Sequence, residues 1–285
     1  MSDPGFTRVT LDKNAIPARG QVGYDQRQSQ TSSIFSFDRF QPQLSVLTGR
    51  ITAIEVLSRL QIAALELPRM AALADHERRQ HLDHGIIVAA SRTLKTLADN
   101  GHHHLRVCVT VPWTWIEDAR AISLALQVVC DANVAPYNLV VQISDETPLM
   151  HMPSAIAGIT RLSRHGIEVC LSNFGSASHT HHHLRSLPVA SIRLDASLVE
   201  ARHGSLRDAV IVRSLIDMLR EMNIKVTADG VNNRDDLAFV AQAQADIVQG
   251  AFITPPICHD LLDSWLNTTN RLAGGRALIT PKWSV

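Results

Sequence analysis

The stretch FQPQLSVLTGRITAIEVLSR, Phe40 to Arg59, decides how the chain folds. One strand-like run ends at Gln41. A second, Ile51–Leu57, is rich in β-branched residues, and Thr48-Gly49 between them is a turn signal. A parallel crossover needs a dozen or more residues, which this connection lacks. The two strands are therefore expected to form an antiparallel hairpin.

Outward from this hairpin the pattern alternates. Strand-like runs are expected at Ile34–Gln41, Ile51–Leu57, Leu105–Val111, Leu139–Ile143, Glu168–Leu171, Ser191–Leu194, Lys225–Ala228 and Asp246–Val248. Helical stretches are expected at 70–99, 117–132, 148–165, 206–222, 233–243 and 258–271. Strands alternating with helices argue for βαβ units, and eight strands in about 240 residues argue for a closed α/β barrel. The expected fold is a TIM-like (β/α)8 barrel with an antiparallel first strand.

Lys plus Arg and Asp plus Glu both total 27 among the 285 residues, so the formal charge is zero. That balance gives no global pull toward nucleic acid or an anionic membrane. Residues 1–33 read as a flexible leader, 34–272 as the folded domain and 273–285 as a tail. No apolar run reaches the roughly 18 residues of a membrane span, and the N-terminus lacks signal-peptide features, so a cytoplasmic protein is expected. Cys108, Cys130, Cys170 and Cys258 have no CxxC spacing and read as reduced, buried thiols.

In such barrels functional groups stand at the C-terminal ends of the strands. The candidates there are Glu55, Thr110, Gln142 with Asp145, Ser172, Asn173, Arg193 with Asp195, Asp229 and Gln249. This set suits a polar ligand. It has too few carboxylates to hold two hard dications about 4 Å apart.

These residues carry a resemblance. The chain is similar, from about Phe40 to Pro256, to the EAL domain family, bacterial phosphodiesterases that linearise cyclic di-GMP with two metal ions. FQP at 40–42 resembles the family's first strand and TGR at 48–50 its hairpin. EVLSR at 55–59 stands at the name motif, and SNFGS at 172–176 at the DDFG loop. RSLPVASIRLD at 185–195 resembles the stretch ending in Lys-Ile-Asp. ADGVN at 228–232 and DIVQG at 246–250 match the last two motifs. The resemblance implies the same barrel with a reversed strand.

The departures matter as much. The resemblance places the family's metal ligands at Glu55, which is retained, and at Thr110, Gln142, Ser172, Asn173 and Asp229, which differ. The water-orienting Lys falls on Arg193, and a second Glu on Asn232. Gln249 remains. Gln142, Ser172 and Asn173 remove three negative charges from the expected metal centre, so no Mg²⁺ pair and no other cofactor is expected. Arg193 is expected to fill part of the site as a cation facing Glu55 or Asp229. Positions implied for nucleotide contact are Gln41, Glu55, Leu57 and Arg59, against which Ala251 and Thr254 replace an aromatic and a basic residue.

The expectation from these departures is a degenerate, stand-alone member that is not an enzyme. It would act by gripping a protein, such as a transcription regulator, and so control virulence, motility or adhesion genes. The resemblance extends to the EAL repressor type known in Bordetella virulence control. A non-hydrolysing cyclic di-GMP receptor and a residual phosphodiesterase are the alternatives. Direct nucleic-acid binding is not expected, and a homodimer is allowed.

Other features have plain readings. His102-His103-His104 and the His179–His183 cluster are read as solvated or partner-facing surface rather than metal ligands. Trp113 and Trp115 are read as a cap on the core.

Overall fold

The computed structural model describes residues 39–57, 76–144, 151–175, 181–201 and 204–272. The hairpin forms: β1 (Arg39–Ser45) runs antiparallel to β2 (Ile51–Leu57), with Gln41 opposite Glu55. Gly49, at φ 62°, closes the turn by donating its amide to the Ser45 carbonyl at 2.8 Å. The first strand runs further than the sequence suggested, through Pro42 to Ser45. Pro42 is tolerated because β1 is paired on its second side only at its two ends, Arg39–Phe40 and Leu44–Ser45.

Six parallel strands follow: β3 (Arg106–Pro112), β4 (Leu139–Ser144), β5 (Glu168–Phe174), β6 (Ser191–Leu194), β7 (Lys225–Ala228) and β8 (Ile247–Val248). Neighbours follow chain order from β2 to β8, and β1 joins β8 to β2 to close an eight-stranded barrel. A ninth strand, β9 (Ile257–Cys258), extends the sheet beside β1.

The helices are α1 (His76–Asp99), α2 (Trp113–Glu117), α3 (Ala119–Asp131), α4 (Met152–Arg164), α5 (His181–Ser186), α6 (Ala196–Ala201), α7 (Leu206–Glu221), α8 (Arg234–Gln242) and α9 (His259–Leu272). The helix expected at 117–132 forms as α3; it starts at Ala119, where Asp118, extended between α2 and α3, accepts the Arg120 amide as its cap. Trp113 and Trp115 are buried, as a core cap should be. On α4, a side chain at Gly158 would come within 2.1 Å of the Ile116 carbonyl oxygen, so only glycine lets α4 lie against α2.

Side chains alternate across each strand. Outward positions such as Ile54, Val107, Val109, Val141, Val169, Leu171, Ile192 and Val226 pack the main core with the helices. Inward positions are smaller or polar, and Ala53, Cys108, Val140 and Cys170 form a separate small cluster inside the barrel. All four cysteines are free. Cys130 is exposed on α3, against the expectation that the thiols are buried. No described helix is long and apolar enough to cross a membrane.

Candidate functional site

Inward side chains of β1, β2, β3, β4 and β6, with Asp229 just after β7, surround one end of the barrel lumen. Gln41 pairs with Glu55 and Thr110 with Gln142, and Arg193 pairs with Thr227, two residues before Asp229. Arg193 reaches across this ring. Its Nη1 donates to Glu55 Oε1 at 2.5 Å and to Gln142 Oε1 at 3.1 Å. Its Nε donates to Asp229 Oδ2 at 3.1 Å, and its Nη2 donates to the same oxygen. The guanidinium thus bridges both carboxylates, where the sequence suggested one or the other.

The other carboxylate oxygens are also engaged. Gln249 Nε2 donates to Glu55 Oε2 at 2.6 Å and to Gln41 Oε1 at 3.1 Å. The Gly230 amide donates to Asp229 Oδ1 at 2.8 Å. Thr110 Oγ1 donates to Gln142 Oε1, and Gln43 Nε2 donates to Gln249 Oε1 at 2.8 Å. Glu55 is 1% exposed and Gln249 is fully buried. Burial alone would weaken the hold of Arg193 on its proton, but Asp229 and then Glu55 outweigh it and raise its pKa above the ordinary arginine value. The site therefore carries a permanent buried cation.

Gly250 supports this geometry. Its φ of 152° and the approach of Val231 O to 2.2 Å of a would-be side chain require glycine directly after Gln249.

Of the residues singled out from sequence, Gln41, Glu55, Thr110, Gln142, Arg193, Asp229 and Gln249 join one network. Ser172 turns away, donating its hydroxyl to the Ile143 carbonyl at 2.8 Å. Asn173 is half-buried with a left-handed φ of 56°, a conformation asparagine tolerates, and no described partner takes its side chain. Leu57 is buried on the strand. Arg59 and Asp145 lie outside the described residues. Gln43 was missed, although its place two residues after Gln41 puts it on the same strand face.

The histidine reading needs correction at one position. His102 is buried, 4% exposed, with Nε2 3.4 Å from Asp263 on α9. It lies in the six-residue connection between α1 and β3, turned in toward α9 rather than to solvent. His103 and His104 are exposed. Partial burial and then the charges of His102, Arg50 and His103 lower the His104 pKa. The side chains of His181–His183 lie outside the described residues.

The profile of the EAL domain family matches residues 28–256. NbdA of Pseudomonas aeruginosa, a cyclic di-GMP phosphodiesterase, is 26% identical over 231 residues, covering 80% of this chain and 30% of NbdA. The chain spans about a third or less of the curated relatives that it matches most clearly. The EAL domain of Mycobacterium smegmatis DcpA superposes with a TM-score of 0.68 at 18% identity, covering 81% of this chain and 96% of DcpA's solved chain. The Xanthomonas citri FimX EAL domain, solved with cyclic di-GMP, gives 0.67 at 19% identity, covering 77% and 87%.

These relatives correct one expectation. Ligand positions that differ from the family pattern argued that the chain is not an enzyme. Yet relatives aligned over four fifths of it include cyclic di-GMP phosphodiesterases. Counting missing charges describes how the centre departs from a pattern; it does not measure turnover.

Proposed function

Because this chain belongs to the EAL domain family, we propose that it serves cyclic di-GMP signalling and recognises the dinucleotide at the mouth of its barrel, with Arg193 as the resident cation. The bridge from Arg193 to Glu55 and Asp229 carries this reading. Its hydrogen bonds use four of the five guanidinium N–H groups. The planar fork keeps one donor for a phosphodiester oxygen, the contact that must offset the single net negative charge of the trio; both Gln249 Nε2 hydrogens are already donated, to Glu55 and Gln41.

The Mg²⁺ pair implied by the resemblance does not fit these donors. Both oxygens of Glu55 and of Asp229 are engaged by protein donors. Two carboxylates against one guanidinium leave a single net negative charge, too little to offset two dications.

Calorimetry with cyclic di-GMP, in EDTA and again in Mg²⁺, tests the proposal, with linear dinucleotide followed in the same samples. Binding heat in EDTA, with affinity within about twofold of that in Mg²⁺, is the expected result. No heat in either buffer, or heat only with Mg²⁺, overturns it.

A protein partner is the second reading, in line with a role in gene control through a transcription regulator. It rests on α7, where Leu206 is 82%, Val210 51% and Ile211 58% exposed. Capture from cell extract by the protein and by its Ile211→Asp variant tests it. Equal retention of the same partner removes α7 from the account.

A further inference from the structure

One cavity among the described residues lies away from the mouth. It opens at the opposite, N-terminal end of the barrel and has a volume of about 900 Å³. TIM-type barrels normally fill this region with layers of bulky branched side chains. Here the inward positions are Ala53, Cys108, Val140, Cys170, Ser191 and Thr227, and each lines the cavity. Small side chains on five strands (β2, β3, β5, β6 and β7) floor a recess at this end, although each is at most 6% exposed. The space is open at its outer end, so water or a small ligand can enter it.

The walls and the rim differ in chemistry. The walls are mainly apolar, with Val140 and the two thiols among them. The inner end is closed by Gln142, which is 2% exposed. Its Oε1 accepts from Thr110 and Arg193, and no partner for its Nε2 is found among the described residues. The rim carries Arg106, Arg220 and Lys225 against Glu168 and Asp246, an excess of one positive charge. Glu168 is bound by Arg106 at 2.9 Å and by Ser191, Asp246 accepts the Val226 amide, and Arg220 donates to Gln244. Lys225 is different: its side chain is 57% exposed and its contact with Glu168 is long, at 3.4 Å. A second cavity of about 840 Å³ adjoins across Arg106, Glu168 and Lys225, and it brings His103 and His104 to the same face.

We propose that the N-terminal end of the barrel is a second binding site, for a small organic anion with a compact apolar body and one anionic head. The body lies against Ala53, Val140 and the thiols. The head meets Lys225 at the rim. Small-molecule sites elsewhere have this composition, a largely apolar cavity with a few placed polar groups. This site does not depend on what the mouth binds.

Benzoate is the probe, with benzyl alcohol as its uncharged counterpart. Titration of each into the ¹³C-methyl-labelled protein follows the methyl groups of Val140 and Ala53. Benzoate is expected to shift them saturably, with a dissociation constant on the order of 1 mM. Benzyl alcohol is expected to bind about fivefold or more weakly, because it cannot use the rim charge. Lys225→Glu, an exposed change that spares the packing, should weaken benzoate by a similar factor. Val140→Phe should fill the cavity and abolish the shift of the Ala53 methyl while leaving the fold intact by circular dichroism. Absent or unsaturable shifts in the unaltered protein overturn the site. Equal binding of benzoate and benzyl alcohol, or unchanged binding in Lys225→Glu, overturns the assignment of an anionic ligand. Should Val140→Phe fail to fold, Ala53→Val supplies the same steric test.

Discussion

Replacing Arg193 with methionine keeps much of the side chain's length and apolar stem while removing its charge. In the folded protein the Arg193, Glu55 and Asp229 side chains are 12%, 2% and 19% exposed, so water screens them poorly. The substitution strands two buried carboxylates that had shared one cation. Breaking a buried ion pair by removing one partner costs about 3–5 kcal/mol. Three of the four lost hydrogen bonds run to charged acceptors, which places the expected loss for Arg193→Met in that range rather than near the about 1 kcal/mol of an average substitution. Urea unfolding at pH 7 measures it as a fall in the midpoint at unchanged slope. Adding Glu55→Gln removes one of the stranded charges. The double variant should be more stable than Arg193→Met alone by about 1 kcal/mol or more, with a coupling energy of about 1–3 kcal/mol across the cycle. A loss below about 1 kcal/mol for Arg193→Met, or additive single effects, would refute the assignment of Arg193 as the neutralising charge of the site.

Three other outcomes are expected. Burial alone would raise the pKa of Glu168, but Arg106, the hydrogen bond from Ser191 and Lys225 together hold it below the ordinary 4.5. Its stabilising contribution is therefore complete above about pH 4.5 and lost as pH falls through the lower folded value, so Glu168→Gln should flatten the stability curve in that window, and parallel acid limbs would contradict this. Installing Gln142→Glu, Ser172→Asp, Asn173→Asp and Arg193→Lys together restores three anions and shortens the resident cation; the variant should bind Mn²⁺ at least about tenfold more tightly by calorimetry, and an unchanged affinity would show that charge is not what limits the metal. Burial raises the Cys170 thiol to about 12 and pushes Cys108 up as well, while Cys130 is exposed, so iodoacetamide mass labelling should modify Cys130 first and Cys108 and Cys170 far more slowly, because they carry little thiolate even where the reagent can enter; equal rates would contradict this.

Much of this architecture was legible because it follows from short-range rules. The reversed first strand came from a connection too short for any crossover, and the longer helices from their periodicity. The elements that escaped are short. β9 has two residues, and α5 and α6 have six each, too few for a period to register. Six of the network's residues were legible from their place at the strand ends, and Gln41 from the family resemblance. The bridge to both carboxylates was not, because the span from Arg193 to Glu55 and Asp229 depends on how the closed sheet sets three strands across from one another. The basal cavity was hidden for a similar reason. No single small residue announces it; it arises only when side chains from separate strands are summed around one axis.

The alternation of side chains across the strands has a further consequence. Ile54 and Glu55, or Ile192 and Arg193, are chain neighbours that serve different masters. The isoleucines are locked into the shell of helices, while Glu55 and Arg193 point into the lumen. Substitutions at lumen positions leave the shell untouched. A barrel of this kind can exchange its chemistry residue by residue while its shape stays the same, so likeness of outline among such proteins is a poor guide to likeness of trade.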